Sequence, residues 1–414
     1  MDYLNINQKS LIKILSSVIR KKRPDLPRDN NIDWQFIAVE ALRHKVIPLV
    51  YFYLMQKPEV FISDEIEEKL RREYIIEIAE QEKNYLAFGE ILSKLTDSDI
   101  PVIALKGLFL RELYHDPWLR SMSDYDVLVK PEDLERIDAL MKNMGYKKIK
   151  SEEKHYAYIH PVFMKVEFHK TLISEDKYEN LNEFEENVWR NVIPFKVCGA
   201  DVLTLDLTDH AIHIVLHMAT HMKSGGFGLR QFCDWTLFNE TYGRVIDRDK
   251  FRCYIKSMGL ELFTQVLFIT CNRYFDLEVP NEWTAEDEHL YEVADRFMID
   301  VLESGAFGND SNDRLTANRM LYYNGTGEAR TLLQRILVIL SLMFPKAEKM
   351  DTRFGYAKKN HLLLPFAWLH RFAYMVVRRD IDIYEKTAIF KLKNISEIYN
   401  KRSLLLQQLG LIKN

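Results

Sequence analysis

The sequence predicts an α+β protein in which a small mixed sheet is flanked by N-terminal and C-terminal helical regions. Three observations predict it. Residues 7–22 and 31–95 carry Leu, Ile, Glu and Lys at helical spacing. Near residue 98 this pattern gives way to short, alternating apolar runs, and from Thr208 onward helical spacing returns and persists. The expected organisation is a helical region at 1–97, an α/β core at 98–205 and a second helical region at 206–414. A chain of 414 residues has volume for two or three domains with a buried core.

Each element has its own signal. Pro24 and Pro27 separate a first helix from the rest, Asn31–Asp33 starts a second before Trp34, and Pro48 is expected to kink or break it. Residues 63–95 read as one long helix with Asp64 near its start. In the core, Ile100–Leu105 is an apolar strand, Gly107 permits a tight turn, and Leu108–Tyr114 is a short helix. The loop His115–Arg120 leads into a strand ending at Val129. Pro131 opens the next helix and Gly145 ends it. Tyr146–Lys150, His155–His160 and Val162–His169 follow as strands, the last two joined at Pro161. Val192–Val197 is extended, Gly199 is a turn and Val202–Leu205 a short edge strand. Further on, Gly305–Asn312 and Tyr323–Gly327 read as loops.

Composition excludes several classes. Apolar residues make up 47% and charged residues 29%, and 57 basic against 61 acidic side chains leave a net charge of −4. That balance offers no general attraction to nucleic acid. The four cysteines, Cys198, Cys233, Cys253 and Cys271, form no Cys-x-x-Cys pair and no disulfide framework. The first residues lack a basic-then-apolar signal pattern, so a reducing, cytoplasmic compartment is expected. No apolar run is long enough to span a bilayer. Ile336–Phe344 and Leu362–Val377 read as buried helices, although the basic flanks Lys358-Lys359 and Arg378-Arg379 leave peripheral membrane contact open.

The chemistry concentrates between residues 103 and 169. Asp124 and Asp126 stand two apart at the start of a strand, so they share one face while Tyr125, Val127 and Val129 take the other. Two like charges held side by side call for a counter-charge, and for hard carboxylate oxygens that is Mg²⁺ or Mn²⁺. Glu167 sits mid-strand between Val166 and Phe168, an unusual place for a solvated acid. If its strand lies beside the Asp-Tyr-Asp strand, Asp124, Asp126 and Glu167 converge as metal ligands and catalytic groups. Upstream, the turn at Lys106-Gly107 exposes helix N–H groups beside a lysine, and Arg120 lies four residues before Asp124. These three are the candidate nucleotide-binding residues, with Arg120 either orienting a carboxylate or gripping phosphate oxygens as a two-pronged donor.

The ordered set Lys106-Gly107, Arg120, Asp124-x-Asp126 and Val166-Glu167-x-His169 resembles the nucleotidyltransferase-fold superfamily, and more narrowly a bacterial family of uncharacterised nucleotidyltransferase-like proteins. Leu42–Leu49 is similar to that family's N-terminal helical segment, and His213-x-x-x-His217-x-x-x-His221 with Leu229-Arg230 and Asp234 to its helices after the core. The resemblance implies a nucleotidyltransferase-fold core and a Mg²⁺-dependent transfer of an NMP group from an NTP, ATP being the expected donor, to an unidentified hydroxyl or phosphate. It also places Arg230 at the cleft. Two departures from the wider superfamily stand out: Lys-Gly replaces the Gly-Ser or Gly-Gly turn, and the third acid is Glu rather than Asp.

Two other readings stay open. One is a non-catalytic nucleotide-binding or interaction protein of the same fold. The other is a zinc hydrolase built on His210, His213, His217 and His221, which recur at intervals that line one face of a helix. A hydrolytic zinc helix usually carries a glutamate beside its first histidine, and none is present here. The bland reading of the row is a polar stripe. Arg230 and Asp234, four apart on the next helix, are placed to pair with each other.

Overall fold

The computed structural model describes residues 3–22, 32–56, 62–149, 155–173, 180–284, 287–308, 311–324, 354–377 and 392–412, with a few isolated positions between them. The apolar run Ile336–Phe344 (save Phe344 itself), the turn Gly325–Gly327 and the flank Arg378-Arg379 lie outside the described residues. The chain forms two compact units: Met1–Thr220 with Gly228–Asp295, and His221–Phe227 with Arg296–Asn414.

The first unit opens with helices whose starts are chemically marked. Helix α1 (Ile6–Ile19) begins in a reciprocal cap, the Gln8 N–H donating to Asn5 Oδ1 at 2.9 Å and the Asn5 N–H to Gln8 Oε1 at 3.0 Å. Asp33 caps α2 (Trp34–Arg43) by accepting from the Phe36 N–H. Pro48 does not kink this helix. α2 has already ended where Lys45 turns left-handed (φ 55°), and Pro48 lies in the first turn of α3 (Ile47–Met55), where a missing N–H costs nothing. α4 (Asp64–Asp97) is one long helix, capped by Ser63 with Asp64, Glu65 and Glu67 in its first turn.

The sheet has seven strands in the order β3-β4-β5-β2-β1-β7-β6. They are β1 (Val102–Ala104), β2 (Tyr125–Val129), β3 (Lys147–Lys148), β4 (His155–Ile159), β5 (Val166–His169), β6 (Ile193–Val197) and β7 (Ala200–Thr204). α5 (Lys106–Arg111) follows β1 and α6 (Leu134–Asn143) follows β2. Two pairings are parallel, β1 with β7 and β2 with β5; the rest are antiparallel. The strand at Val202–Leu205 is therefore not an edge strand. β7 lies between β1 and β6, and the edge is β6, whose Pro194 lacks a donor for a further strand. β5 is also shorter than its apolar pattern, starting at Val166 rather than Val162.

One face of this sheet is apolar. Tyr125, Val127 and Val129 of β2 and Val166 and Phe168 of β5 pack with Phe88, Ile91, Leu92 and Leu95 of α4 and Ile137 and Met141 of α6 in one core. Period-two alternation then sends Asp126, Glu167 and His169 to the opposite face. α4 is held against the β6–β7 turn through Gly89: a Cβ there would come within 2.2 Å of the Cys198 carbonyl oxygen. Beside it, the Cys198 N–H donates to the Tyr85 hydroxyl at 2.8 Å, and Cys198 and Gly199 both take positive φ to close the hairpin.

After β5 come α7 (Leu181–Val188), α8 (Leu207–Ser224), α9 (Leu229–Tyr242), α10 (Arg248–Ser257) and α11 (Glu261–Phe275), followed by α12 (Glu288–Ser304). The second unit comprises the end of α12 with α13 (Asn312–Asn324), α14 (Tyr356–Lys359), α15 (Leu364–Val377) and α16 (Leu392–Gln408). Its interior is pinned by Asp300, which accepts from Arg314 at 3.1 and 2.8 Å and from Arg402. Both guanidiniums are buried, and the one carboxylate they share offsets part of their charge where water cannot. Among the described residues, no helix is long and apolar enough to cross a membrane.

Candidate active site

The parallel register of β2 and β5 sets Asp126 directly beside Glu167 and Leu128 beside His169. The side chains converge on the face away from the α4–α6 core. His169 Nε2 lies 3.3 Å from Asp126 Oδ1 and 3.4 Å from Glu167 Oε2. The other Glu167 oxygen pairs with Lys165, which has the same strand parity. One donor atom from each of Asp126, Glu167 and His169 falls within 4.8 Å of the others. Among the described residues, this is the one group of three or more such side chains close enough to hold an ion together.

Asp124 stands just before β2, outside that close set. Repulsion from Asp126, reinforced by burial, pushes its carboxyl up to about 6, although Lys106 and Lys165 pull the other way. Burial raises Asp126 as well, but the His169 hydrogen bond and the charges of His169, Lys106 and Lys165 prevail and hold it well below the usual carboxylate range. The hydrogen bond from His169, opposed by burial and joined by Lys165, brings Glu167 down to about 2. Burial alone would lower His169, yet the two carboxylates lift it to about 9. The site is a knot of negative charge held by neighbouring cations. Two carboxylates and an imidazole on a firm strand pair, with a third carboxylate under repulsion beside them, fit a divalent cation.

The amino-acid sequence matches the family model described as an uncharacterised nucleotidyltransferase over residues 30–276. The chain belongs to this family. A solution structure of the antibiotic-resistance factor ANT(2'')-Ia is similar at 10% identity, covering 42% of this chain and 90% of that one, with a TM-score of 0.32. The search of curated proteins gave no match.

The remaining expected residues of this nucleotidyltransferase-family site fall as follows. Lys106 is the first residue of α5, and the Leu105 N–H before it donates to the Asp126 carbonyl at 3.2 Å, which ties the turn to β2. Burial lowers the Lys106 ammonium, and the charges of Asp126 and Asp124 offset part of that. Gly107 lies inside α5 at an ordinary helical φ rather than in a strained turn. What its lack of a side chain spares is space: a Cβ would approach Met122 Cε at 3.2 Å and Arg120 Nη1 at 3.6 Å.

Arg120 is buried, and its Nε and Nη2 donate to the two oxygens of Asp234, each at 2.8 Å. The Tyr114 hydroxyl donates to the same carboxylate at 2.9 Å. The expected Arg230–Asp234 pair is thus replaced: Asp234 belongs to Arg120, while Arg230 donates to the Ser121 carbonyl. A residue four positions away on the same helix lost to a better-aligned guanidinium from another part of the fold. Burial lowers the Arg230 guanidinium, opposed in part by the charges of Asp234 and Asp124.

Two members of the histidine row, His210 and His213, are buried. His210 is buried, stacks on Phe109 with ring centroids 3.8 Å apart, and meets Thr204 Oγ1 at 2.8 Å. The Thr204 hydroxyl spends its proton on the Ala104 carbonyl at 2.9 Å, so His210 Nε2 must be the donor. Burial pushes His210 down to about 3 and His213 well below the ordinary imidazole range, so both rings are neutral. Sequence reasoning gave His169 no role beyond the family motif and overlooked Lys165 and the partner of Asp234. Strand parity, which sets Glu167 and His169 on one face, extends to Lys165 as well.

Proposed function

We propose that this chain is a divalent-metal-dependent nucleotidyltransferase that moves an NMP group from an NTP to an acceptor hydroxyl or phosphate, releasing pyrophosphate. The observation that carries the reading is the side-by-side pairing of Asp126 and Glu167 on neighbouring parallel strands, with Asp124 adjoining. Asp124 and Asp126 would hold the ion at the triphosphate, and Glu167 would share it from the acceptor side. When bound, such an ion neutralises charge on phosphate oxygens and eases loss of the acceptor proton.

The protein's own groups supply the rest. Lys106 and the amides at the start of α5 would face the anionic phosphates, and Arg120, whose Nε and Nη2 are taken by Asp234, would meet them only through Nη1, which lies on the Gly107 side. The acceptor oxygen bonds to the α-phosphorus as the bond from that phosphorus to the bridging oxygen breaks, and Glu167 would steer the departing acceptor proton. ATP is the expected donor and Mg²⁺ or Mn²⁺ the expected ion. The acceptor is the open variable.

The test is NTP-dependent pyrophosphate release with either ion across a panel of acceptors, comparing the parent with Asp124→Asn and Asp126→Asn. Transfer from ATP labelled at the α-phosphorus and loss in both variants support the reading. Transfer of the γ-label instead, or equal release by parent and variants, overturns it.

A further inference from the structure

Resting on the reading above, we infer that His169 is itself a metal ligand through Nε2, and that its nitrogen tunes the site toward a first-row transition ion, Mn²⁺, over Mg²⁺. The argument is geometric. His169 is two residues beyond Glu167 on β5, so it shares the acidic face but lies one pleat further along. Its ring nevertheless leans back between the carboxylates, 3.3 Å from Asp126 Oδ1 and 3.4 Å from Glu167 Oε2. Adjacent donors around a six-coordinate ion with bonds near 2.1 Å stand about 3 Å apart. The imidazole nitrogen already stands near that spacing from each carboxylate, and one donor atom of each residue lies within 4.8 Å of the others, on secondary structure rather than on a loop.

The charges around them are consistent with this arrangement. Lys165 takes Glu167 Oε1 and leaves Oε2 on the His169 side. A ring kept only as a fixed counter-cation would duplicate Lys165 and Lys106, which already face these acids. An incoming ion replaces the proton on Nε2, which passes to solvent, and Asp126 Oδ1 and Glu167 Oε2 turn from hydrogen-bond acceptors into ligands of the same centre. Mg²⁺ prefers oxygen donors and keeps its waters, whereas transition ions accept imidazole. The replacement of one oxygen donor by nitrogen therefore changes which ion the site retains.

The experiment uses the full chain and Mn²⁺ alone. Binding is followed by electron paramagnetic resonance, with pulsed spectra read for nitrogen coupling before and after ¹⁵N-histidine labelling. Mg²⁺ competition gives the preference, and His169→Gln and Asp126→Asn serve as variants, with circular dichroism confirming that each folds. The expected result is histidine nitrogen coupling in the parent, its loss in His169→Gln with Mn²⁺ affinity down about 10-fold or more, and Mn²⁺ bound at least about 10-fold more tightly than Mg²⁺. Mn²⁺ bound without nitrogen coupling, in an Asp126-dependent way, overturns the ligand assignment and leaves the proposed function standing. Failure of the parent to bind Mn²⁺ at all overturns this inference, and pyrophosphate release with Mg²⁺ then decides the proposed function separately. Coupling in the parent needs no variant, so a misfolded His169→Gln does not decide the matter.

Discussion

Arg120 and Asp234 are 114 positions apart and meet in a buried, two-pronged ion pair, with both contacts at 2.8 Å. Neither partner reaches bulk water, so each depends on the other. Truncating one side strands a charge, and Asp234→Ala should destabilise the protein by about 3–5 kcal/mol. Urea unfolding measures this. Replacing both residues with apolar ones of similar size should recover most of the loss, and a double variant as unstable as the single one would contradict this account of the pair.

Lys106 faces Asp124 and Asp126 from the first turn of α5. Lys106→Met should reduce NTP-dependent turnover by about 100-fold or more, by analogy with removing one preorganised donor from a site of developing charge. Ion binding should survive, because lysine is not a donor to metal here. Unchanged turnover would remove Lys106 from the phosphate-binding set.

Gly89 leaves no room for a side chain between α4 and the Cys198 carbonyl. Gly89→Ala should cost about 1–3 kcal/mol despite alanine's better helix propensity, because the clash is with main chain that cannot rotate away. The readout is the midpoint of thermal or urea unfolding. An unchanged or raised midpoint would show that the hairpin yields.

His210 has a folded-state pKa lowered to about 3 from an ordinary 6.5. Between those values the unfolded chain binds a proton that the folded chain refuses. The stabilisation is complete above pH 6.5 and declines as pH falls below it, by about 1.4 kcal/mol per pH unit for this one group. His213 acts in the same direction. Unfolding free energies compared at pH 7.5 and pH 5 should fall more steeply with acid in the parent than in His210→Gln. Parallel curves would show that the ring finds a way to protonate in place.

Much of this was legible in the chain because strand chemistry is local. Alternation alone sent Asp126 and Glu167 to the polar face, and the runs around Tyr125 and Phe168 supplied the apolar one. The caps at Asp33 and Ser63 and the prolines at 48 and 131 marked helix starts, although Pro48 began a new helix where a break in the old one was expected. Distance in sequence hid the rest. The insertion of β7 between β1 and β6 depends on a parallel pairing across about a hundred residues, and the partner of Arg120 lies on a helix beyond the core. His169 was given no part in the ion site because strand parity fixes the face and not the way a ring leans.

The Asp126–Glu167 alignment has a consequence for assembly. Sliding β5 by a single position would trade the acid for Val166 or Phe168 and turn the carboxylate into oil. A one-position slip leaves no weakened centre. If the centre takes Mn²⁺ as inferred, a refolding chain followed through its capture would stay dark until the middle of the sheet had zipped in frame, and the signal would then serve as a clock for that one pairing.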